Sequence, residues 1–244
     1  MKKAKKGSDD FSDYLPGVAN GPAEKSSDPF FGSPFFTLVG RHVRLEPLKR
    51  EHLSALTAAG ADPAIWRWYS VDGQTPEAMR AFVEDGLDSQ ARGTAVPFTV
   101  FDASGAIVGS TRFGAIERKH RRAEIGWTFL ATRCQRTGIN TEMKYLMLRH
   151  AFETWGLQRV EFKTDSLNEK SRNALKRIGA TEEGTLRNHM VTYSGRVRHS
   201  VYYSVTAEDW PRVKQHLETL MAVGRHSHAA VDVGKGLPTY EGSR

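Results

Sequence analysis

Cysteine is nearly absent from this 244-residue chain. Cys134 stands alone, so no intrachain disulfide can form and a cysteine-rich zinc site is excluded. A reducing cytoplasm fits that usage. No apolar run reaches the ~20 residues that a bilayer-spanning helix needs. The basic start, Met1-Lys2-Lys3-Ala4-Lys5-Lys6-Gly7, leads into no apolar stretch and does not read as a secretory signal. Two phosphate-loop signatures are missing too. The one small polar loop that precedes a helix, Gln135-Arg136-Thr137-Gly138-Ile139-Asn140, has Ile139-Asn140 where a P-loop places Lys-Ser/Thr. It has a single glycine where a dinucleotide loop needs three. Internal repeats are absent.

Charge, by contrast, is plentiful and unevenly placed. The formal net charge is +7, and residues 110–150 hold nine basic residues against three acidic ones. That excess surrounds the polar loop along the sequence, which favours a polyanionic ligand, either a nucleotide cofactor or nucleic acid. For Arg118 to Arg122 alone, a solvated basic hairpin is the plainer reading.

Residues 1–36 are rich in Lys, Asp, Ser, Gly and Pro without a sustained period and read as a flexible tail. Four aromatics near its boundary with the domain, Phe30-Phe31 and Phe35-Phe36, are expected to pack on the domain or on a partner. A folded domain is expected over 37–222 and a second flexible tail over 223–244. Within the domain, Val43 to Leu48 alternates as a half-buried strand, and Lys49 to Ala59 has helical spacing. Thr75-Pro76-Glu77 starts a helix that runs to about Ala91. Strands follow at Ala95–Asp102, Ala106–Ile116 and Ala123–Leu130. On the last, Glu124, Gly126 and Thr128 are expected on one face, with Ile125, Trp127 and Phe129 on the other. Next come a helix from Thr141 to about Trp155, a strand at Arg159–Thr164 and a helix at Asn168–Ile178. Strands at Gly184–Tyr193 and Val197–Val205 and a closing helix at Glu208–Met221 complete the domain. The order β-α-α-β-β-β-α-β-α-β-β is an α/β mixture with a mostly antiparallel sheet.

The strand-loop-helix unit at Ala123–Trp155 places unpaired backbone N–H groups at a helix mouth, where anions bind. Its loop resembles the Gln/Arg-x-x-Gly-x-Gly/Ala loop of the GCN5-related N-acetyltransferases (GNAT). It matches at Gln135 and Gly138 and departs at Asn140. Two further stretches are similar to the ribosomal-protein (RimJ/RimL-like) branch of that superfamily. One is Leu167-Asn168-Glu169-Lys170-Ser171-Arg172-Asn173-Ala174-Leu175. The other is Ile178-Gly179-Ala180-Thr181-Glu182-Glu183-Gly184-Thr185-Leu186-Arg187. The resemblance spans roughly residues 37–210 and implies a GNAT fold: a twisted, mixed, mostly antiparallel sheet flanked by helices. It implies an acyl-CoA-dependent N-acyltransferase that moves acetyl from acetyl-CoA to an amine by direct attack in a ternary complex. The acceptor would be a protein N-terminal α-amine or a small amine. Alternatives are a catalytically impaired CoA-binding relative and a basic ribosome- or RNA-binding protein. The chain lacks aromatic-interleaved RNA motifs, which ranks nucleic acid low. No metal and no membrane are expected. Oligomeric state stays open, a homodimer included.

The same resemblance assigns candidate roles. Backbone amides from Gln135 through Arg136, Thr137, Gly138, Ile139 and Asn140 to Thr141 would cradle the pyrophosphate, with Arg136 and Arg172 adding charge. Asn140 would survive as an N-cap tolerant of unusual backbone angles. Phe129 and Leu130 would pair with the pantetheine arm, with Asn168 on the other wall. Glu124 is the candidate base; a salt bridge to Arg121 or Arg112 is an equal reading. Glu142 is expected to cap and charge-match its helix start. Ser171 would steady the leaving thiolate; Tyr193, Tyr202 and Tyr203 are rival acids. Trp66, Trp68 and Tyr69 would shape the acceptor pocket or belong to the core. Cys134 and His150 read as buried structural residues.

Overall fold

The computed structural model describes residues 33–229, with side chains through 222. Phe30-Phe31 lie outside the described residues. Among the described residues eight strands form one sheet: β1 (Leu38–Val39), β2 (Val43–Pro47), β3 (Val96–Asp102), β4 (Ile107–Glu117), β5 (Arg122–Leu130), β6 (Arg159–Asp165), β7 (Thr181–Val191) and β8 (Val197–Thr206). Their spatial order is β1-β2-β3-β4-β5-β6-β8-β7, and only β5 with β6 runs parallel. Six helices flank the sheet: α1 (Leu53–Ala59), α2 (Pro63–Trp66), α3 (Pro76–Ala91), α4 (Ile139–Arg149), α5 (Glu169–Arg177) and α6 (Trp210–Ala229). The expected mixed, mostly antiparallel sheet is what forms. The two-residue β1 and the single-turn α2 are additions, too short to show a period.

Local chemistry explains where the helices begin. Thr75 Oγ1 accepts from the Ala78 amide at 3.1 Å, and Pro76 opens α3 where no amide is needed. Asp62 caps α2 in the same way, and Asn168 Oδ1 caps α5 by accepting from Ser171 N at 3.1 Å.

The sheet separates two apolar layers. Under α4 and α6 lie Phe98, Phe113, Ile125, Met147, Trp155, Phe162, Tyr203 and Leu217. Under α1–α3 lie Leu56, Trp66, Met79, Phe82 and Phe129. Beyond Arg149, α4 continues as a π-helical turn, His150–Thr154. His150 belongs to the first layer. Phe36 stacks on its ring at 4.1 Å, its Nε2 has no hydrogen-bond partner among the described residues, and burial pushes its pKa down to about 4. Phe36 thus packs on the domain as expected, while Phe35 is exposed.

Candidate functional site: a forked sheet and an uncapped helix

The site starts where the sheet comes apart. β5 and β6 pair only over Arg122–Glu124 against Arg159–Glu161, and the rest of both strands is unpaired along this seam. The cause lies in β5. Its register against β4 shifts between Ser110↔Phe129 and Arg112↔Gly126, a β-bulge centred on Trp127. Trp127 takes φ 49°, a left-handed conformation costly for a bulky residue. The Arg112 guanidinium lies 4.9 Å from the Trp127 ring and the Lys163 ammonium 5.6 Å from it. Gly114 completes the seat: a Cβ there would come within 2.3 Å of the indole.

The bulge corrects the expected alternation. Ala123 and Ile125 face the α4 layer, but Trp127 and Phe129 pack on the α1–α3 layer. Thr128 turns the other way, toward α4, and its Oγ1 lies 2.7 Å from Thr111 Oγ1 and 3.2 Å from Lys144 Nζ. Glu124 and Thr128 therefore stand on opposite faces. Glu124 is buried and pairs with Lys163 at 2.9 Å. Neither suggested partner takes it. Arg112 binds Asp85 at 2.8 Å, and Arg121 sits in the turn at the far end of β5.

Beyond Leu130 the chain makes a short 3-10 turn, Thr132–Cys134, and then the polar loop. The left-handed residue of that loop is Arg136 (φ 61°), not Asn140. Gly138 is the N-cap of α4 and brings no capping side chain. Its φ of −66° needs no glycine, and a Cβ would meet nothing nearer than the His42 ring at 3.6 Å. The missing side chain leaves the helix mouth open. Among the described residues the amides of Arg136, Thr137, Gly138, Asn140 and Thr141 have no acceptor, while Ile139 N donates to Thr137 Oγ1 at 3.3 Å. Asn140 stands inside the first helical turn, so the N-cap role foreseen for it belongs to Gly138. Glu142 does not cap the helix either. It accepts from the amides of Arg41 (2.8 Å), His42 (2.6 Å) and Val43 (3.1 Å) and so anchors the β1–β2 turn.

The fork and the loop open into one cleft of about 1120 Å³. Leu130, Gln135, Arg136, Thr137, Asn140 and Asn168 line it, as do Ser171, Glu124, Trp68 and Tyr69. Phe129 lines it too, although its ring is in the α1–α3 core. Five expected members, Gly138, Ile139, Thr141, Trp66 and Arg172, are outside this lining. Trp66 is fully buried, donates to Gly60 O at 2.7 Å and is core. Arg172 turns away to Tyr203, Ser166 O and Glu182; the cleft receives Arg177 instead, which donates to Thr141 Oγ1 at 2.7 Å. Gln135 accepts from Lys170 Nζ at 2.6 Å. The rival tyrosines are outside the lining. Tyr203 donates to Glu182 at 2.8 Å, and Tyr193 is exposed. Tyr69, which does line it, donates to Thr128 O, and burial pushes its hydroxyl up to about 12. Cys134 is buried, and desolvation raises its thiol.

Lys144 and Arg198 are cleft residues that sequence reasoning missed. Lys144 is buried at the root of the fork, and desolvation lowers its amine to about 7 against the opposing pull of Glu124. Its place on the buried stripe of α4, where a lysine is out of pattern, was the available signal. Among the described residues no cluster of His, Cys, Asp or Glu could hold a metal ion, and no helix is long and apolar enough to cross a membrane.

Comparison with known proteins agrees with this architecture. The acetyltransferase (GNAT) domain family matches residues 42–181. The chain belongs to that family. It is 34% identical over 107 residues to the "Putative ribosomal N-acetyltransferase YdaF" of Bacillus subtilis, a stretch covering 43% of this chain and 57% of that protein. The chain spans about half the length of the curated relatives it matches. A solved structure described as a "putative acetyltransferase", from T. thermophilus, is 38% identical, with a TM-score of 0.69 over 76% of this chain and 96% of that one. Mycobacterium smegmatis RimJ, solved with CoA-disulfide, shares the fold at 24% identity, with a TM-score of 0.66 over 78% and 94% of the two chains.

Proposed function

We propose that the protein is an acetyl-CoA-dependent N-acyltransferase acting by direct attack in a ternary complex. The acceptor is an amine, either a protein N-terminal α-amine or a small amine. The observation that carries this reading is the continuity between an open strand fork and an uncapped helix N-terminus. The free amides of Arg136, Thr137, Gly138, Asn140 and Thr141 suit a pyrophosphate without a metal, and Arg136 adds charge. The Phe129 carbonyl faces Gly109 of β4, so it is Leu130, on the edge that β6 leaves unpaired and with only Gln135 Nε2 on its carbonyl at 3.4 Å, that offers backbone groups to an extended amide-bearing arm. At about 1120 Å³ the cleft exceeds the ~300–1,000 Å³ of ordinary small-molecule sites and suits a ligand as large as acetyl-CoA. RimJ, which shares the fold, was solved with CoA-disulfide.

Acetyl-CoA supplies the activated acyl group. Glu124, on the acceptor side of the fork, takes the proton of the attacking amine, directly or through one water; an α-amine with a pKa of about 8 needs only a modest base. Lys163 keeps that carboxylate oriented at 2.9 Å. The Ser171 hydroxyl, one turn into α5, has no partner among the described residues and serves the leaving thiolate. Calorimetry with acetyl-CoA and a thiol-release assay over a panel of amines test the reading together. Ser171→Ala is expected to slow release about tenfold while acetyl-CoA still binds. Absence of acetyl-CoA binding by the wild-type protein overturns the proposal.

A further inference from the structure

We propose that Arg198, with Arg67, forms an anion-binding subsite at the acceptor end of the cleft. The acceptor is then an amine that carries a carboxylate, not a polyamine or a neutral amino sugar. The inference rests on the acyltransferase reading and names the substrate class of that site.

Arg198 projects from β8 and lines the cleft at only 7% exposure. Its Nε donates to Ser200 Oγ at 3.1 Å and its Nη1 to Trp68 O at 3.3 Å. The Nη2 protons have no acceptor among the described residues, and none of their carboxylates stands within ion-pair distance. A guanidinium remains charged, so burial without a counter-ion is costly. Desolvation accordingly lowers its pKa. The carboxylates that partly offset this, Asp165 and Glu124, are already engaged. Asp165 holds Arg196 and the Leu167 amide; Glu124 holds Lys163. Arg67 is exposed on the same wall, 4.8 Å from the Trp68 ring, with no acidic partner among the described residues. Arg196 lies 5.4 Å from that ring as well. The cleft thus carries a mostly buried cation with vacant donors together with an exposed cation that has no acidic partner among the described residues. A carboxylate there completes Arg198 and places its amine toward Glu124, whose charge Arg198 senses.

The test compares C-terminally amidated Ala-Glu-Glu-Ala, Ala-Gln-Gln-Ala and Ala-Lys-Lys-Ala, plus alanine against alaninamide. Peptide arms report a side-chain carboxylate, and the alanine pair reports the acceptor's own α-carboxylate. Wild-type protein should favour the carboxylate member of at least one pair by about 30-fold in kcat/KM, mainly through KM. Arg198→Gln should reduce that ratio to about twofold, and Arg198→Lys should recover part of it. Should Arg198→Gln fail to fold, exposed Arg67→Gln decides, with an expected drop of the ratio of about threefold. Equal use of acidic and neutral acceptors, preference for Ala-Lys-Lys-Ala, or transfer to none of these probes overturns the subsite. Those outcomes leave the acyltransferase reading standing as long as acetyl-CoA binds; loss of that binding would sink the reading itself.

Discussion

At its loop end the cleft meets backbone: the amides of Arg136, Thr137, Gly138, Asn140 and Thr141, free among the described residues, around a side-chain-less N-cap. At its other end it is walled by side chains from several elements: Trp68 and Tyr69 after α2, Glu124 on β5, Lys163 on β6 and Arg198 on β8. The backbone end is generic, because any chain with that turn presents the same donors to the same anion. The side-chain end is particular, because its charges are paired or left vacant by contacts between strands far apart in sequence. Ligand holding at one end should therefore tolerate most side-chain changes except those that fill the helix mouth. Chemistry at the other end should respond to single charges.

The largest expected effect tests the backbone end. Gly138→Asp supplies a capping carboxylate where the ligand's phosphates would lie. The cap gains a few tenths of a kcal/mol, about what an Asp offers over Gly. Acetyl-CoA affinity should fall roughly 500-fold through like-charge repulsion and lost donors. Thermal melting and calorimetry on the same samples check the pair of outcomes. A drop in both quantities would mean that Gly138 serves the fold. Next in size, Glu124→Gln should lower kcat about 100-fold with little change in acetyl-CoA affinity, since the two functions sit at opposite ends. A rate near wild type in stopped-flow or steady-state assays removes Glu124 as the base.

How far each end could be read from the sequence follows the same division. The loop was readable because its elements are contiguous: strand, polar turn and helix occur in order from Ala123 to Arg149. The caps Thr75 and Asn168 were readable for the same reason, each needing only its next three residues. The bulge was not, because Trp127 leaves the alternation only once Arg112, Lys163 and Gly114 are in place around it. The charge cluster divides in the same way. Residues 118–122 form the turn at the other end of β5, the basic hairpin that was their plainer reading, whereas the pairing of Arg112 with Asp85 from α3 needed the tertiary fold. The vacancy at Arg198 needs the partners of Asp165 and Glu124 to be known first. Trp66, which also read as core, and Arg172 lie outside the cleft because direction within a short helix depends on tertiary packing, which spacing alone does not supply.

Lys144 sharpens the comparison because it sits between the two ends. Its pKa falls from 10.5 in the unfolded chain to about 7 in the fold. Between those values the unfolded state holds the extra proton, so stability rises with pH across that window. Lys144→Met removes the penalty. It should stabilise the protein by on the order of 3 kcal/mol below pH 7, with the gain lost as pH rises toward the unfolded value. Chemical denaturation at pH 6 and pH 10 measures the difference. A gain equal at both pH values would show that methionine acts through packing and that the amine is not neutral in the fold.

The smallest effect is expected at Asn140, the position where the loop departs from the family pattern. Were it an N-cap, or the residue in the left-handed region, Asn140→Gly would restore the motif and tighten binding considerably. Its place within the first turn of α4 argues otherwise, since the N-cap is Gly138 and the left-handed residue is Arg136. The backbone amide that matters is present with either side chain. Affinity for acetyl-CoA should therefore shift by less than about threefold, under ~0.7 kcal/mol. The helix should lose about 0.5–1 kcal/mol to glycine's backbone entropy. Calorimetry and melting of Asn140→Gly check both. A tenfold gain in affinity would mean that the asparagine side chain obstructs the phosphate end, and that the backbone end is less indifferent to side chains than its free amides imply.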